Sequence, residues 1–434
     1  MTWCRAWLKA LLTSGVGLLL VLSVVLPAAE AAPLGSRCPT AQLVDAPFRD
    51  AALAALERLI VRAPGTDAHG AVRSHDSNGH VDPQGRGWQQ VSAYAANLGL
   101  MGALRTAPSL RIAVGDWLRW QARHMVWAGP LRGVVLDHWM RQGDLVQVTC
   151  PPGMAARLCG HVDAYDSTAA SLLLLAQAFA QQGGDRAVLH DAQVRQALEA
   201  AASALQEMSR PDGLTWAKPD HRVAYLMDAV EAGAGWRAWA WLQSEVFAGP
   251  AAAALVATAL KSAQRIDSSL HSQLWDAQAK RWRVFAGGAR PAANIWYPDT
   301  VAQAWPLLWS GGADDAQFAR ASQAWNNAAG NWQGRQGRQG PARWATQNVD
   351  PDGFWWPAAA VAAYCLGDVA SARTWVARAR ERWMQPVSPF AWPFQVSDLL
   401  WLLWLAEPQQ QPLLRVGTGP GVPLAPIHSV PLQE

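Results

Sequence analysis

Twelve segments with helical periodicity follow one another along the chain, and two kinds alternate. They lie at about 47–63, 87–105, 107–128, 163–182, 191–209, 223–242, 249–271, 299–310, 314–328, 355–367, 368–384 and 396–407. Those at 87–105, 163–182, 223–242, 299–310, 355–367 and 396–407 are apolar nearly all round, whereas the others carry Arg, Glu, Gln and Asp along one side. A helix apolar on every side must be surrounded by protein, and an amphipathic one can face water. Strict alternation of the two over six consecutive pairs predicts an all-α chain: an (α/α)6 toroid with six helices inside and six outside. The inner starts are roughly 40–75 residues apart, so the repeat is irregular and long loops precede the inner helices. The one strand-like stretch, 274–276 with 281–285, predicts a small β-hairpin.

The ends read differently. Arg5 and Lys9, then an apolar stretch from Leu11 to Leu26, then Ala29-Glu30-Ala31, have the pattern of a secretory signal peptide over 1–31. The toroid is expected over 32–407, with periplasmic or secreted localisation and no stable membrane insertion after cleavage. Residues 408–434, rich in Pro, Gly and Gln, predict a disordered tail, and 330–343, with Gly-Arg-Gln-Gly-Arg-Gln-Gly, a flexible loop. In an exported chain Cys150 and Cys159, flanking a Pro-Gly loop, are candidates for a local disulfide, while Cys365 is expected as a buried thiol. No cysteine spacing suits zinc. Asp76-Ser77-Asn78 opens like a calcium loop but meets His80 where the next acid belongs, so no metal and no cofactor is expected. A formal charge of +3, or +2 without Arg5, Lys9 and Glu30, gives no reason to expect nucleic acid. The sequence leaves the oligomeric state open.

In a double ring the loops before the inner helices converge on one face. The residues collected there are aromatic and acidic. Tyr94, Tyr165, Tyr225 and Tyr297 stand at or near inner-helix starts, with Trp88, Trp216, Trp296, Trp355, Trp356 and Trp392. Asp163, Asp166, Asp228, Glu231, Asp299, Asp352 and Asp398 join them, and Lys218 and Arg222 lie in the loop before 223–242. Of the 26 tryptophans, against 8 Phe and 5 Tyr, many must be core, but so many also suits a chain that stacks on sugar rings. Indoles stack on the apolar faces of sugar rings and carboxylates accept hydroxyl hydrogen bonds, so a carbohydrate ligand fits.

Asp228 and Glu231 are three apart and share a helix face that continues through Ala232, Gly235 and Trp239. Two acids in so apolar a surface meet arginines as internal ion pairs, or face a cleft and move protons. If Asp220 caps their helix, both lie beyond its first turn, where burial and mutual repulsion raise a carboxyl pKa as a general acid requires. Asp228 or Glu231 is therefore the expected acid. Asp166, in a first turn where the helix dipole favours the anion, is the expected partner. The plainer alternative for several of these acids is capping: Asp163 and Asp166 have capping-box spacing, and Asp299 follows Pro298 where a cap belongs.

The segments Asp163-Ala-Tyr-Asp166, Asp212-Gly-Leu-Thr-Trp-Ala-Lys218-Pro-Asp220 and Tyr225-Leu-Met-Asp228-Ala-Val-Glu231 resemble exported bacterial members of the six-hairpin glycosidase superfamily. The resemblance implies the toroid and a saccharide ligand, and certifies no catalytic pair. An exported glycoside hydrolase is the leading expectation. The alternatives are a polysaccharide lyase using Tyr94, Tyr225, His221 or Arg222, and a non-catalytic saccharide-binding protein. An isomerase of free sugars fits an exported chain less well.

Overall fold

A computed structural model describes residues 38–309, 315–333 and 340–408. The signal segment 1–31, the middle of the glycine-glutamine loop and the tail beyond residue 408 lie outside the described residues. The helices alternate as their sequences predict. The outer ones are α1 (Ala46–Leu59), α3 (Arg111–His124), α5 (Ala192–Met208), α7 (Ala252–Ser269), α9 (Asp315–Ala329) and α11 (Val369–Trp383). The inner ones are α2 (Ala93–Thr106), α4 (Tyr165–Gln181), α6 (Leu226–Glu245), α8 (296–309), α10 (Pro357–Cys365) and α12 (Leu399–Ala406). α8 is not one regular helix: a π-type turn, a 3-10 turn and a short α-helix follow one another.

The inner ring closes. α2 packs on α4, α4 on α6, α6 on α8, α8 on α10, α10 on α12, and α12 returns to α2. Every residue of α10 and α12 is buried, as is α4 from Tyr165 to Ala180. The outer helices clothe this ring, so the fold is the (α/α)6 toroid. None of the described helices is long and apolar enough to cross a membrane. Small residues set the inner spacing. A Cβ on Gly102 of α2 would lie 2.5 Å from the Leu399 carbonyl oxygen of α12, and one on Gly235 of α6 would lie 2.7 Å from the Ala170 Cβ of α4. Only hydrogen fits at these contacts, as expected for the Gly235 face.

Three outer helices carry aspartate caps, while outer helices α3 and α7 carry none. Asp45, Asp191 and Asp368 cap outer helices α1, α5 and α11 through Phe48, Val194 and Ser371 amides at 3.0–3.1 Å. The residues before inner helices α2, α4, α6, α8 and α10 make no side-chain cap. Asp398 differs, forming a capping box with Gln395 ahead of α12.

The sequence reading needs three corrections here. Residues 87–91 are not helical. They form strand β2 (Gly87–Val91) of an antiparallel sheet ordered β1 (His80–Val81), β2, β3 (His138–Arg141), β4 (Gln147–Val148). The predicted hairpin, β5 (Trp275–Asp276) with β6 (Arg281–Trp282), is present beside this second sheet. The 330–343 loop is structured at both described ends, by a 3-10 turn at Gly330–Trp332 and a short helix from Arg343. Cys365 is not a free thiol but is bonded to Cys38. Segment 38–45 runs along α12, with the Leu43 and Val44 amides donating to the Leu405 carbonyl and the Tyr364 hydroxyl to that of Ala41. That path carries Cys38 to the end of α10. The Cys150–Cys159 bridge forms as expected.

Candidate active site

Residues 284–286, just past β6, pair with 224–226. The Leu226 amide donates to the Val284 carbonyl at 2.8 Å and the Ala286 amide to that of Ala224 at 2.9 Å. The pairing holds the chain extended up to Tyr225, so α6 starts at Leu226 and not near Asp220. Asp228 therefore stands in the first turn of α6, with Glu231 one turn deeper. This overturns the expectation that both acids lie beyond the first turn.

Neither acid meets an arginine; Arg237, on the same helix, pairs with Asp267 instead. Glu231 is 2% exposed, and its Oε1 accepts the Tyr94 hydroxyl from α2 and the Trp305 indole N–H from α8, both at 2.8 Å. Burial, with some repulsion from Asp166, pushes its carboxyl up to about 7, while the Trp305 and Tyr94 hydrogen bonds partly oppose the rise. Asp228 is half-buried, and no side chain among the described residues hydrogen-bonds or ion-pairs with it. Burial, then repulsion from Asp166, Glu231 and Asp163, holds its carboxyl well above the usual range. The helix dipole favours an anion in a first turn, but burial and the neighbouring carboxyls outweigh it.

Asp166 is fully buried. The Thr215 hydroxyl donates to its Oδ2 and the Ser167 amide to its Oδ1, the latter at 2.9 Å. Burial pushes it up to about 6, with those hydrogen bonds lowering it. It caps nothing, and its side chain is closed off from the surface. Its reach is electrostatic, onto Asp228. Asp163, three residues earlier, is exposed and acts through its charge on Asp228, Tyr94, Tyr225 and Tyr297. The acidic group is thus one buried pair, one half-buried acid and one open acid.

Aromatic rings flank it. Tyr297 is 43% exposed and stacks on Trp356 at 4.7 Å and 15°. The Trp356 indole donates to buried Asp350 at 2.8 Å, which fixes the pair. Phe354 meets Trp356 at 6.2 Å and Trp392 at 5.5 Å, and Trp392, 51% exposed, meets His75 at 5.0 Å. On the α6 side Tyr225 stacks near His221, whose Nε2 is 2.9 Å from its hydroxyl, and packs edge-on to Phe285.

Several expected ligand contacts point elsewhere. Trp88 is buried, gives its N–H to Asp82 at 3.0 Å and carries Arg141 over its ring. Tyr165 is fully buried, with its hydroxyl on the Arg132 carbonyl. Trp296 packs on Trp332 and Trp344, and Trp355 on Trp375 of outer helix α11, so both join the layer between the rings. Of the pair Trp355-Trp356, the first turns to Trp375, whereas the second packs on Tyr297 and on Trp305, whose indole holds Glu231. Trp216 is half-buried under the Arg210 guanidinium at 4.4 Å. Asp299 is no cap; its Oδ1 accepts the Ala292 amide at 2.6 Å and braces the loop before α8. Arg222 is exposed, its Nε 3.4 Å from the Pro219 carbonyl. Lys218 is half-buried against His161. Trp305, Asp350, Phe354 and His161 carry no sequence signal of their own, since an indole in an apolar helix reads as core. The described residues contain no His/Cys/Asp/Glu cluster suited to a metal ion.

No protein-family model and no curated protein matches the chain. Solved structures do match it in fold. A glycosidase point variant superposes with a TM-score of 0.52 at 14% identity, over 86% of this chain and 97% of its own. A wild-type glycosidase gives 0.51 at 14% identity, with the same coverage. A reducing-end xylose-releasing exo-oligoxylanase gives 0.48 at 16%, over 86% of this chain and 96% of its own. At such identities the likeness is one of fold: this chain has the helical toroid seen in glycosidases.

Proposed function

We propose that the chain is an exported glycoside hydrolase of the six-hairpin type. It cleaves an oligo- or polysaccharide by carboxylate acid/base chemistry in an aromatic-lined cleft. The observation that carries this is the state of Asp228. It is a half-buried carboxyl with no hydrogen-bond partner among the described residues, and burial together with three neighbouring acids holds its pKa well above the usual range. A proton donor to a glycosidic oxygen needs those properties. Asp163, exposed beside it, takes the role of second carboxylate in place of buried Asp166. Glu231 and Asp166 set the charge around Asp228 without touching the sugar. Tyr297, Trp356, Trp392 and Tyr225 supply the faces on which sugar rings stack. The signal-peptide pattern and two disulfides support an oxidising, exported setting.

The lyase alternative has one observation in its favour, the His221–Tyr225 contact. Against it, burial and then the charges of Asp228 and Asp163 raise the Tyr225 phenol, and burial with Glu231 holds Tyr94 well above its ordinary value, the wrong direction for a base.

The test is reducing-end release by the mature chain from a panel of polysaccharides, with Asp228→Asn and Asp163→Asn alongside. Loss of the acid should cost about 10²–10⁴-fold in rate. Full activity in Asp228→Asn would overturn its role. An unsaturated, ultraviolet-absorbing product would establish the lyase, and glycan binding without any product a binding protein.

A further inference from the structure

Lys218 is one of three lysines after residue 31, and it is held in an unusual way. Its ammonium is half-buried and lies 3.3 Å from His161 Nε2. An ammonium only donates, so Nε2 accepts and the ring proton sits on Nδ1. That nitrogen faces Asp137 Oδ2 at 3.9 Å, and the Gln90 amide nitrogen donates to the same Oδ2 at 2.9 Å. Asp137 also gives its backbone N–H to the His161 carbonyl at 2.8 Å. A polar chain thus runs from β2 through Asp137 and His161 to Lys218, drawing on four separate segments.

The backbone holds the lysine end equally firmly. Lys218 and His221 exchange amide-to-carbonyl bonds at 3.3 Å in both directions. Ala217 takes the Tyr165 amide at 2.7 Å and gives its own to the Val223 carbonyl at 2.8 Å. The lysine is therefore tied to the starts of both α4 and α6, the helices that carry Asp166 and Asp228. His161 stands two residues before Asp163. Yet no carboxylate of the described residues, neither Asp163 nor Asp220, comes within ion-pair distance of the ammonium. A half-buried cation held by a neutral imidazole, with donors to spare, wants an anion that the chain does not supply.

We propose that Lys218, positioned by His161 and Asp137, is a specificity-determining residue that binds the carboxylate of a uronic acid unit in the glycan. This rests on the saccharide reading of the cleft and narrows the substrate to chains carrying acidic sugars. His161 and Asp137 are positioning residues: they aim the ammonium.

The experiment is calorimetric binding to the full mature chain carrying Asp228→Asn, which prevents turnover. Two ligands are compared: a tetrasaccharide containing one glucuronate, and the same tetrasaccharide with that carboxyl reduced to the alcohol. The acidic form should bind about tenfold or more tightly, with an advantage that shrinks as salt rises. Adding Lys218→Met should remove the advantage while weakening the neutral form far less. Lys218→Arg should restore part of it, and His161→Ala should reduce it. Equal binding of the two forms, or a preference that survives Lys218→Met, overturns the proposal. Binding of neither form also overturns it. In that case reducing-end release from neutral polymers by the wild type would leave the hydrolase reading standing.

Discussion

Glu231 brings a carboxyl into the middle of the inner ring and keeps it there with two neutral donors, Tyr94 and Trp305. Its folded-state pKa is about 7, against an ordinary 4.5. The folded protein therefore holds this proton more tightly than the unfolded chain. The stability it contributes is fully present below about 4.5 and is lost as pH rises through 7, a loss of roughly 3 kcal/mol when complete. Asp166, pushed up to about 6, adds a loss of the same sign. Thermal melts of wild type and Glu231→Gln at about pH 5 and about pH 8 test this. The glutamine still accepts from both donors, so the variant should match wild type at the lower pH and exceed it at the higher. A deficit at the higher pH would mean that Glu231 is held as an anion. Spacing alone put Asp228 and Glu231 on one face; the partners of Glu231 came from helices whose sequences never mention it.

At the scale of elements, the periodicity of the segments sufficed to find the twelve helices of the two rings, though not the short helices at Arg186–His190 and Arg343–Thr346, and it failed where two patterns abut. Strand β2 runs almost directly into α2, and its Trp-Gln-Gln-Val is too short an alternation to stand out against the apolar helix that follows. The start of α6 was misplaced for a related reason. Asp220 has the chemistry of a cap, but pairing with residues 284–286 keeps the backbone extended five residues further. Helix contacts are set just as locally. Gly102→Ala would improve helix propensity by up to about 1 kcal/mol, yet its Cβ would lie 2.5 Å from a backbone carbonyl of α12. A carbonyl in a packed helix does not yield, so the substitution should cost about 1–3 kcal/mol or more in urea unfolding. A stabilised variant would show that the α2–α12 seam can open.

Over the whole molecule, the ring is closed by α12 against α2 and stitched by a bond between residues 327 apart. In the chain-entropy account, a cross-link over so long a loop restricts the unfolded chain far more than the one over 9 residues, with limits of roughly 6 and 3 kcal/mol. Cys365→Ser should therefore lower the stability of the oxidised protein more than Cys150→Ser, and reductant should erase the difference. Denaturant titrations with and without reductant measure this. Equal losses would place the benefit of the long bridge in native contacts, such as the Leu43 and Val44 pairing with Leu405.

The sequence by itself determined the architecture, because burial on every side leaves its mark on every residue of an inner helix, and alternation with amphipathic helices admits few ring arrangements. It also determined the acidic, aromatic character of the open face, since the loops before inner helices must converge there. Only the tertiary structure decided which of those residues stand beside Asp228 and Glu231. Whether Trp356 rather than Trp355 packs on Trp305, whether Asp163 rather than Asp166 meets solvent, and whether Cys365 finds Cys38 depend on a helix's rotation and the path of a distant segment. Those are set by packing across the ring, between residues far apart in the chain, and no local pattern encodes them.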